Sequence, residues 1–145
     1  MIALLQRAIE ARIDIDGRTV ASIGPGILAL VGFHKDDAPE QTERMVERIL
    51  GYRLFADEEG KMNRSLVDTD GALLLVPQFT LAAETDRGMR ASFSSAAPPE
   101  TGRMLFEKLC AECRERHGSV ETGEFGAHMQ VHLINDGPVT FSLTL

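Results

Sequence analysis

The chain has 145 residues, of which 43% are hydrophobic and 26% charged, and its formal net charge at pH 7 is −7. These proportions are typical of a folded globular protein and exclude a disordered or fibrous chain. The acidic balance argues against a protein that grips long stretches of nucleic acid, because such binding depends on a basic face.

The sequence also argues against a membrane or secreted protein. No apolar run approaches the roughly 20 residues that span a bilayer. The first residues reach Gln6 and Arg7 too early for a signal peptide. Two cysteines and no tryptophan fit a reducing compartment better than a disulfide framework. We therefore expect a cytoplasmic protein whose residues 1–145 form one domain.

The N-terminal third has the patterns of β-strands. Residues 2–7 are mostly apolar, and residues 11–15 alternate between apolar and charged side chains, as a half-buried strand does. The Asp-Gly pair that follows predicts a hairpin turn into a strand over residues 18–23. The apolar run at 27–33 predicts a strand that is buried on both faces.

The middle of the chain predicts a helix and a second buried strand. The helix is expected to take Asp36 or Asp37 as its N-cap and to carry apolar residues at helical spacing as far as Leu54. Residues 72–76, with the sequence ALLLV, predict the strand.

The C-terminal half predicts a loop, a helix and two closing strands. Residues 84–97 lack periodicity and indicate a long loop, and two prolines at 98 and 99 predict a helix that runs to about residue 117. Apolar alternation at 129–133 and again at 139–145 predicts two strands. The whole order predicts an α+β fold, in which two main helices pack on a largely antiparallel, barrel-like sheet.

Cys110, Cys113 and His117 fall on one face of the second helix, because they are spaced i, i+3, i+7. A C-x-x-C pair can be a thiol-redox site or half of a zinc site. The alternative is that these are small apolar side chains on a buried stripe, and the absence of a second cysteine pair favours it.

Two segments are chemically unusual. Pro77 interrupts a strand, and a proline there removes a ladder donor and frees neighbouring backbone groups. Free N–H groups at a strand end can form an oxyanion hole, although a simple bulge at a sheet edge explains the same residues. Gly137-Pro138 lies at the boundary of the two closing strands, and its local sequence does not select a cis or a trans bond.

The whole chain resembles the D-aminoacyl-tRNA deacylase (DTD) family, in the segments MIALLQRA, LGYRLFADEEGKMN, PQFTLAAETDRGMRASF and MQVHLINDGPVTF. Members of this family are cytoplasmic homodimers that proofread translation by hydrolysing the ester between a D-amino acid and the terminal adenosine of tRNA. Many also remove glycine mischarged on alanine tRNA. The resemblance implies a DTD-like fold whose partners are the aminoacyl-tRNA acceptor end and a second copy, with no DNA, membrane, metal or other cofactor.

The resemblance also assigns roles to individual residues. It implies that Gln78, Phe79 and Thr80 line the catalytic site. It implies that Gly137 and Pro138 form a Gly-cisPro element, which enters the partner's pocket and rejects L-amino acids. Three further residues support the pocket, namely Arg7, which holds that element, and the candidate walls Phe125 and Met129.

Two mechanisms remain open within this family assignment. In the first, backbone N–H groups near Phe79 and Thr80 stabilise the oxyanion, while the ribose 2′-hydroxyl helps to activate water. In the second, Thr80 is a covalent nucleophile. The family usually has serine where this chain has Pro77, and we expect Pro77→Ser to change the rate only modestly.

The uneven charge distribution suggests where RNA would touch the protein. Residues 87–116 carry six Lys/Arg against four Asp/Glu, whereas residues 118–145 carry no Lys or Arg. Candidate tRNA contacts are Lys61, Arg64, Arg87 and Arg90. Solvated surface charge is the alternative for these four residues, and a non-catalytic dimeric RNA-binding module is the rival function.

Overall fold

A computed structural model describes residues 1–145, and it shows helices packed on a curled, mixed β-sheet. The strands are β1 (Ile2–Ile15), β2 (Arg18–Ile23), β3 (Gly26–Gly32), β4 (Phe55–Ala56), β5 (Met62–Arg64), β6 (Ala72–Pro77), β7 (Val120–Thr122) and β8 (Gln130–Thr144). The helices are α1 (Gln41–Gly51), α2 (Leu66–Thr69) and α3 (Pro99–Arg116), and a 3₁₀ turn spans Phe79–Ala82. No helix combines the length and the apolar character needed to cross a membrane.

Strand β1 organises the main sheet. Its two halves pair with β3 and β2 along one edge, and β8 follows the other edge, all antiparallel. The sheet then continues through β6 to β7 with parallel pairing, while β4 and β5 form a separate hairpin. The predicted α+β fold with two main helices is confirmed. Its parallel part arises because helical crossovers, rather than tight turns, connect β3 to β6 and β6 to β7.

The core has two layers. On one face of the sheet, α1 and α3 cover apolar side chains of β1, β3 and β6. On the other face the sheet curls over itself, so that β2 contacts β6 and β7 across a smaller apolar cluster. Residues Leu73 and Leu75 of β6 belong to the first layer, and Leu74 and Val76 belong to the second. Strand β6 is therefore buried on both faces, as predicted.

The predicted start of the first helix is wrong. Neither Asp36 nor Asp37 is its N-cap, because α1 begins four residues later, at Gln41. The Asp37 carboxylate instead accepts hydrogen bonds from the Met1 ammonium and from the His34 N–H, both at 2.7 Å. Asp37 therefore forms a long-range ion pair with the N-terminus instead of capping the helix.

The predicted break between two closing strands is also wrong. Residues 130–144 form the single strand β8, which pairs with β1 on both sides of an interruption. The interruption is a looped-out segment within the ladder, described below. The predicted loop at 84–97 is confirmed, since it contains only two isolated bridges, and the second predicted helix matches α3 within one or two residues.

Candidate active site

The end of β6 leads through Gln78 into the 3₁₀ turn Phe79–Ala82 (the 79–82 turn), whose first two residues are exposed. Pro77 pairs with Val31, and the Gln78 N–H donates to the Val31 carbonyl at 2.7 Å as the strand ends. The Leu81 N–H then donates to the Gln78 carbonyl at 3.2 Å, which closes the first bond of the 3₁₀ turn. The N–H groups of Phe79 and Thr80 precede that bond, so they have no partner inside the turn.

A glycine on the neighbouring strand lets the turn approach closely. A Cβ added to Gly32 would lie 2.7 Å from the Gln78 carbonyl oxygen and 2.9 Å from the Leu81 Cβ. Any larger residue at this position would push the turn away from β3. The backbone of the turn is therefore packed against rigid sheet.

The side chains of Phe79 and Thr80 are exposed, whereas Ala82 is buried. Gln78 Nε2 donates to Thr80 Oγ1 at 2.5 Å. Phe79 is 57% exposed, and its ring centroid lies 5.1 Å from that of Phe93 in the 84–97 loop. No carboxylate or imidazole contacts the Thr80 hydroxyl. The site thus offers backbone donors, an amide and an open aromatic pair, without a triad.

The second unusual segment is a loop within β8. Asn135 pairs with Ala8, and Thr140 pairs with Gln6, so the four residues 136–139 stand opposite Arg7 alone. The Gly137–Pro138 peptide bond is cis, and both residues are exposed. We call these four residues the 136–139 loop.

Arg7 and Asn135 hold this loop from within the chain. Arg7 Nε lies 2.9 Å from a carboxylate oxygen of Asp136, and its Nη1 donates to the Leu54 carbonyl at 2.7 Å. Asn135 Nδ2 donates to the carbonyls of Arg7 and Val139, at 2.9 and 3.1 Å. Sequence reasoning named Arg7 but not Asn135 or Asp136. The sequence could have indicated both residues, because they directly precede Gly137-Pro138.

The two exposed segments do not meet within one chain. Pro77 is three strands away from β8, which corresponds to about 14 Å across the sheet. The 136–139 loop also lies four residues further along β1, which adds about 14 Å in the perpendicular direction. No hydrogen bond or ion pair joins the loop to the 79–82 turn. A single amino acid cannot touch both segments of the same chain.

Of the two candidate pocket walls, Met129 lies near the end of β6 and Phe125 packs against α3. A Cβ added to Gly123 would lie 2.8 Å from Met129 Sδ and 3.5 Å from Pro77 Cδ, so Met129 and Pro77 sit side by side. Phe125 packs under α3, where a Cβ added to Gly102 would be 3.2 Å from its ring.

Comparison with known proteins identifies the family. The family model for D-Tyr-tRNA(Tyr) deacylase matches residues 4–144. Relatives include the D-aminoacyl-tRNA deacylase of Thioalkalivibrio sulfidiphilus, 62% identical over 99% of this chain and 96% of that protein, and that of Xanthomonas campestris pv. campestris, 60% identical over 99% of both. The chain belongs to the D-Tyr-tRNA(Tyr) deacylase family. The membership predicted from the sequence, and with it the assignment to a family of hydrolases, is confirmed.

Two solved structures have a similar fold. A structure titled "c-Myc DNA Unwinding Element Binding Protein" is 36% identical, covers 100% of this chain and 99% of its own, and has a TM-score of 0.96. A probable eukaryotic D-amino acid tRNA deacylase, 17% identical over 98% of both chains, has a TM-score of 0.83. At that identity the second match shows the shared deacylase fold alone.

The four cations suggested as RNA contacts fall into two separate groups. Lys61 and Arg64 lie in the β4–β5 hairpin, where Lys61 Nζ pairs with Glu59 at 2.7 Å and Arg64 donates to the Asp68 carbonyl at 2.5 Å. Arg87 and Arg90 are exposed in the 84–97 loop, which follows the 79–82 turn, and neither forms an ion pair.

The two cysteines of α3 are buried in the protein core. Cys110 and Cys113 are free thiols in the core, and burial raises the pKa of each to about 12. His117 follows the end of α3, where its N–H donates to the Cys113 carbonyl at 2.9 Å, and its Nε2 lies 2.6 Å from the Gly71 carbonyl oxygen. No group of three or more His, Cys, Asp or Glu side chains converges as metal ligands. The buried-stripe interpretation of the cysteines is confirmed.

Proposed function

We propose that this chain hydrolyses the ester bond of D-aminoacyl-tRNA, releasing the D-amino acid and free tRNA. Family membership supports the reaction class. The observation that carries the proposal is the 136–139 loop, which projects Gly137 and Pro138 outward while Arg7 and Asn135 fix its base. Because its own chain does not cover the 136–139 loop, this rigid backbone is available for close contact with another molecule.

A complete site needs a second copy of the chain. Because the 136–139 loop and the 79–82 turn are far apart in one chain, we assign them to the two halves of a composite pocket in a cytoplasmic homodimer. A two-fold axis builds two such pockets at once, since each subunit lends its loop to the other's turn. Phe125 and Met129 would form walls beside the turn.

The loop would act as a filter on the configuration at Cα. Backbone carbonyls around Gly137 and Pro138 accept hydrogen bonds from the substrate's α-ammonium and leave no space for an L side chain. A D side chain points away from the loop, so the wrong enantiomer is excluded by contact rather than by weaker attraction. Glycine has no side chain to exclude. We therefore include glycine mischarged on alanine tRNA among the substrates.

Catalysis would rely on backbone groups and on the substrate itself. Water attacks the ester carbonyl, and the N–H groups of Phe79 and Thr80 stabilise the resulting oxyanion, an effect of about 3–4 kcal/mol per donor. The ribose 2′-hydroxyl helps to orient and deprotonate that water. Collapse of the intermediate breaks the bond to the ribose oxygen, which takes up the proton. This scheme requires no side-chain base, in agreement with the surroundings of Thr80.

Parallel deacylation of D-tyrosyl-tRNA and L-tyrosyl-tRNA tests the proposal. We expect hydrolysis of the D ester to be faster by on the order of a hundredfold or more, because the L side chain meets the loop. Glycyl-tRNA(Ala) serves as a third substrate and is expected to be hydrolysed. Equal rates for the D and L esters would remove the filter, and no hydrolysis of any ester would remove the enzyme.

A further inference from the structure

Two of the four basic residues on α3 are neutralised by carboxylates. Lys108 Nζ pairs with Glu112 at 2.7 Å on the same helix, and Arg116 pairs with Glu43 of α1 at 2.6 Å. Both pairs are accompanied by a raised pKa of the cation, caused first by the hydrogen bond to its carboxylate. This part of α3 presents little free positive charge.

The other two basic residues of α3 have no carboxylate partner. Arg103 donates to the Phe125 carbonyl at 3.2 Å, and its guanidinium lies 5.1 Å from the centroid of the Phe125 ring. Arg114 donates to the Thr122 hydroxyl at 3.1 Å. Both arginines are exposed. Neutral partners orient the two guanidinium groups without cancelling their charge.

These two arginines line one hollow. It has a volume of about 200 Å³ and lies between α3 and the segment 122–125. Residues 103, 107, 110 and 114 follow helical spacing, which places them on one face of α3. Glu107 is the one carboxylate in the lining, and it forms no ion pair with either arginine. The hollow therefore has an excess of positive charge in a chain whose net charge is −7.

The hollow adjoins the proposed catalytic turn. Thr122 pairs with Leu75, which precedes Gln78 by three residues, so the hollow begins about 10 Å along the sheet from the turn. Gly123, also in its lining, sits beside Pro77. If the 3′ end of an RNA strand occupies the turn, the phosphates that precede its terminal adenosine are within reach of this hollow.

We propose that Arg103 and Arg114 bind phosphates of the tRNA acceptor strand. This inference rests on the proposed function, which places the terminal adenosine at the 79–82 turn. Guanidinium groups suit the task because their planar N–H donors match phosphate oxygens. Two such contacts beside the site would let an acidic protein hold the acceptor end without a basic face across the whole molecule.

The test compares two esters that differ in their phosphates. D-Tyrosyl-tRNA carries the acceptor strand, whereas the 3′-O-D-tyrosyl ester of adenosine carries no phosphate. For the double variant Arg103→Gln/Arg114→Gln we expect kcat/KM on the tRNA ester to fall by roughly tenfold or more per lost contact. We expect a smaller change on the adenosine ester, and none for Arg114→Gln alone, because Arg114 contacts Thr122 whereas Arg103 contacts the pocket wall Phe125. The matched control is Lys108→Gln/Arg116→Gln, which removes the same charge from the same helix and retains activity on both esters.

Binding of uncharged tRNA gives an independent readout. Loss of two phosphate contacts should make the slope of log affinity against log salt shallower by about 1.4. The variant Arg103→Lys/Arg114→Lys should recover most of that slope, which excludes a purely structural effect. Circular dichroism and thermal unfolding confirm that each variant is folded.

Several results would overturn the inference. They are equal losses on the two esters, an unchanged salt slope, or an equal loss in the Lys108/Arg116 control. If wild-type protein hydrolyses neither ester, the proposed function fails, and the salt slope alone then decides whether the arginines bind RNA.

Discussion

At the scale of single residues, the contacts of Thr80 show that it does not belong to a catalytic triad. Its hydroxyl meets the Gln78 amide and no other side chain. An amide does not accept a proton at neutral pH, so nothing next to Thr80 would activate it as a nucleophile. The two mechanisms left open by the sequence therefore predict different results for one substitution.

We expect Thr80→Ala to keep deacylation of D-tyrosyl-tRNA within about tenfold of the wild-type rate, because the oxyanion donors are backbone groups. Single-turnover kinetics measure the chemical step directly. Thr85→Ala, an exposed threonine in the neighbouring loop, is the matched control. Near-complete loss in Thr80→Ala, with activity retained in Thr80→Ser, would instead establish the nucleophile.

Arg7→Ala should affect both stability and selectivity. The Leu54 carbonyl would lose its donor, at a cost of about 1–3 kcal/mol in the free energy of unfolding. The 136–139 loop would lose its tether at Asp136, so the ratio of D to L deacylation rates should fall. Urea unfolding and paired deacylation assays measure the two effects.

Arg12→Ala on the same strand is the control for Arg7→Ala. Its side chain is 47% exposed and pairs with Asp14 at the surface, where an ion pair contributes little. A wild-type D/L ratio in Arg7→Ala would contradict the assigned role of Arg7.

At the scale of elements, predictability followed the range of the interactions that define each element. The two ends of α3 were predicted because Pro98, Pro99 and Gly118 are local signals. The start of α1 was not, because Asp37 is engaged by Met1, 36 residues away. Strand β8 was divided in two because Asn135-Asp136-Gly137-Pro138 interrupts its apolar alternation. Only pairing with β1 makes it one strand.

The candidate site was predictable only through family resemblance. Periodicity located Pro77 at a strand end and Gly137-Pro138 at an interruption, but it gave neither segment a function. Phe93 gave no signal, because its contact with Phe79 depends on how the 84–97 loop folds back. Contacts of this kind are set by tertiary structure and leave no local pattern.

The buried thiols of α3 make stability depend on alkaline pH. Burial raises the pKa of Cys110 and of Cys113 from 9.0 to about 12, so the folded state keeps protons that the unfolded state releases. Their contribution is fully present below about pH 9 and is lost as the pH rises toward about 12. We expect the free energy of unfolding in urea to fall between pH 8 and about 10.5.

Cys110→Ala/Cys113→Ala should reduce this fall. In the wild type, labelling by iodoacetamide at pH 8 should be slow until the protein is unfolded, because almost no thiolate forms in the core. Rapid labelling of native protein would contradict the buried geometry and revive the redox hypothesis.

At the scale of the whole molecule, a pocket shared by two subunits predicts complementation between two damaged chains. Gly32→Ala damages the turn, because its Cβ would lie 2.7 Å from the Gln78 carbonyl oxygen and 2.9 Å from the Leu81 Cβ. Gly137→Ala damages the loop, because its Cβ would lie 2.7 Å from Val139 Cγ2 and 3.0 Å from Arg7 Nη2. In a mixed dimer, one pocket combines an intact turn with the intact loop of the other chain.

Random mixing of the two inactive variants should therefore restore about a quarter of wild-type activity, since half of the dimers are mixed and each has one intact pocket of two. Dimers must be dissociated and reassembled before the assay, and sedimentation confirms their mass. Self-mixing of each variant is the control. No recovery in mixed dimers, despite confirmed exchange, would place both segments in one subunit's site.

The last turn of α1 and the residues after it connect the helix layer to β8. Arg48 Nη1 donates to the Thr144 carbonyl at 2.7 Å, the Tyr52 ring lies 5.1 Å from that of Phe141, and Arg7 bridges the Leu54 carbonyl to the 136–139 loop. Local unfolding of this turn would release the loop and the strand end together. The rate of amide hydrogen exchange at the end of α1 should therefore report on the 136–139 loop. We expect this exchange to slow when a second chain or a substrate holds the loop in place.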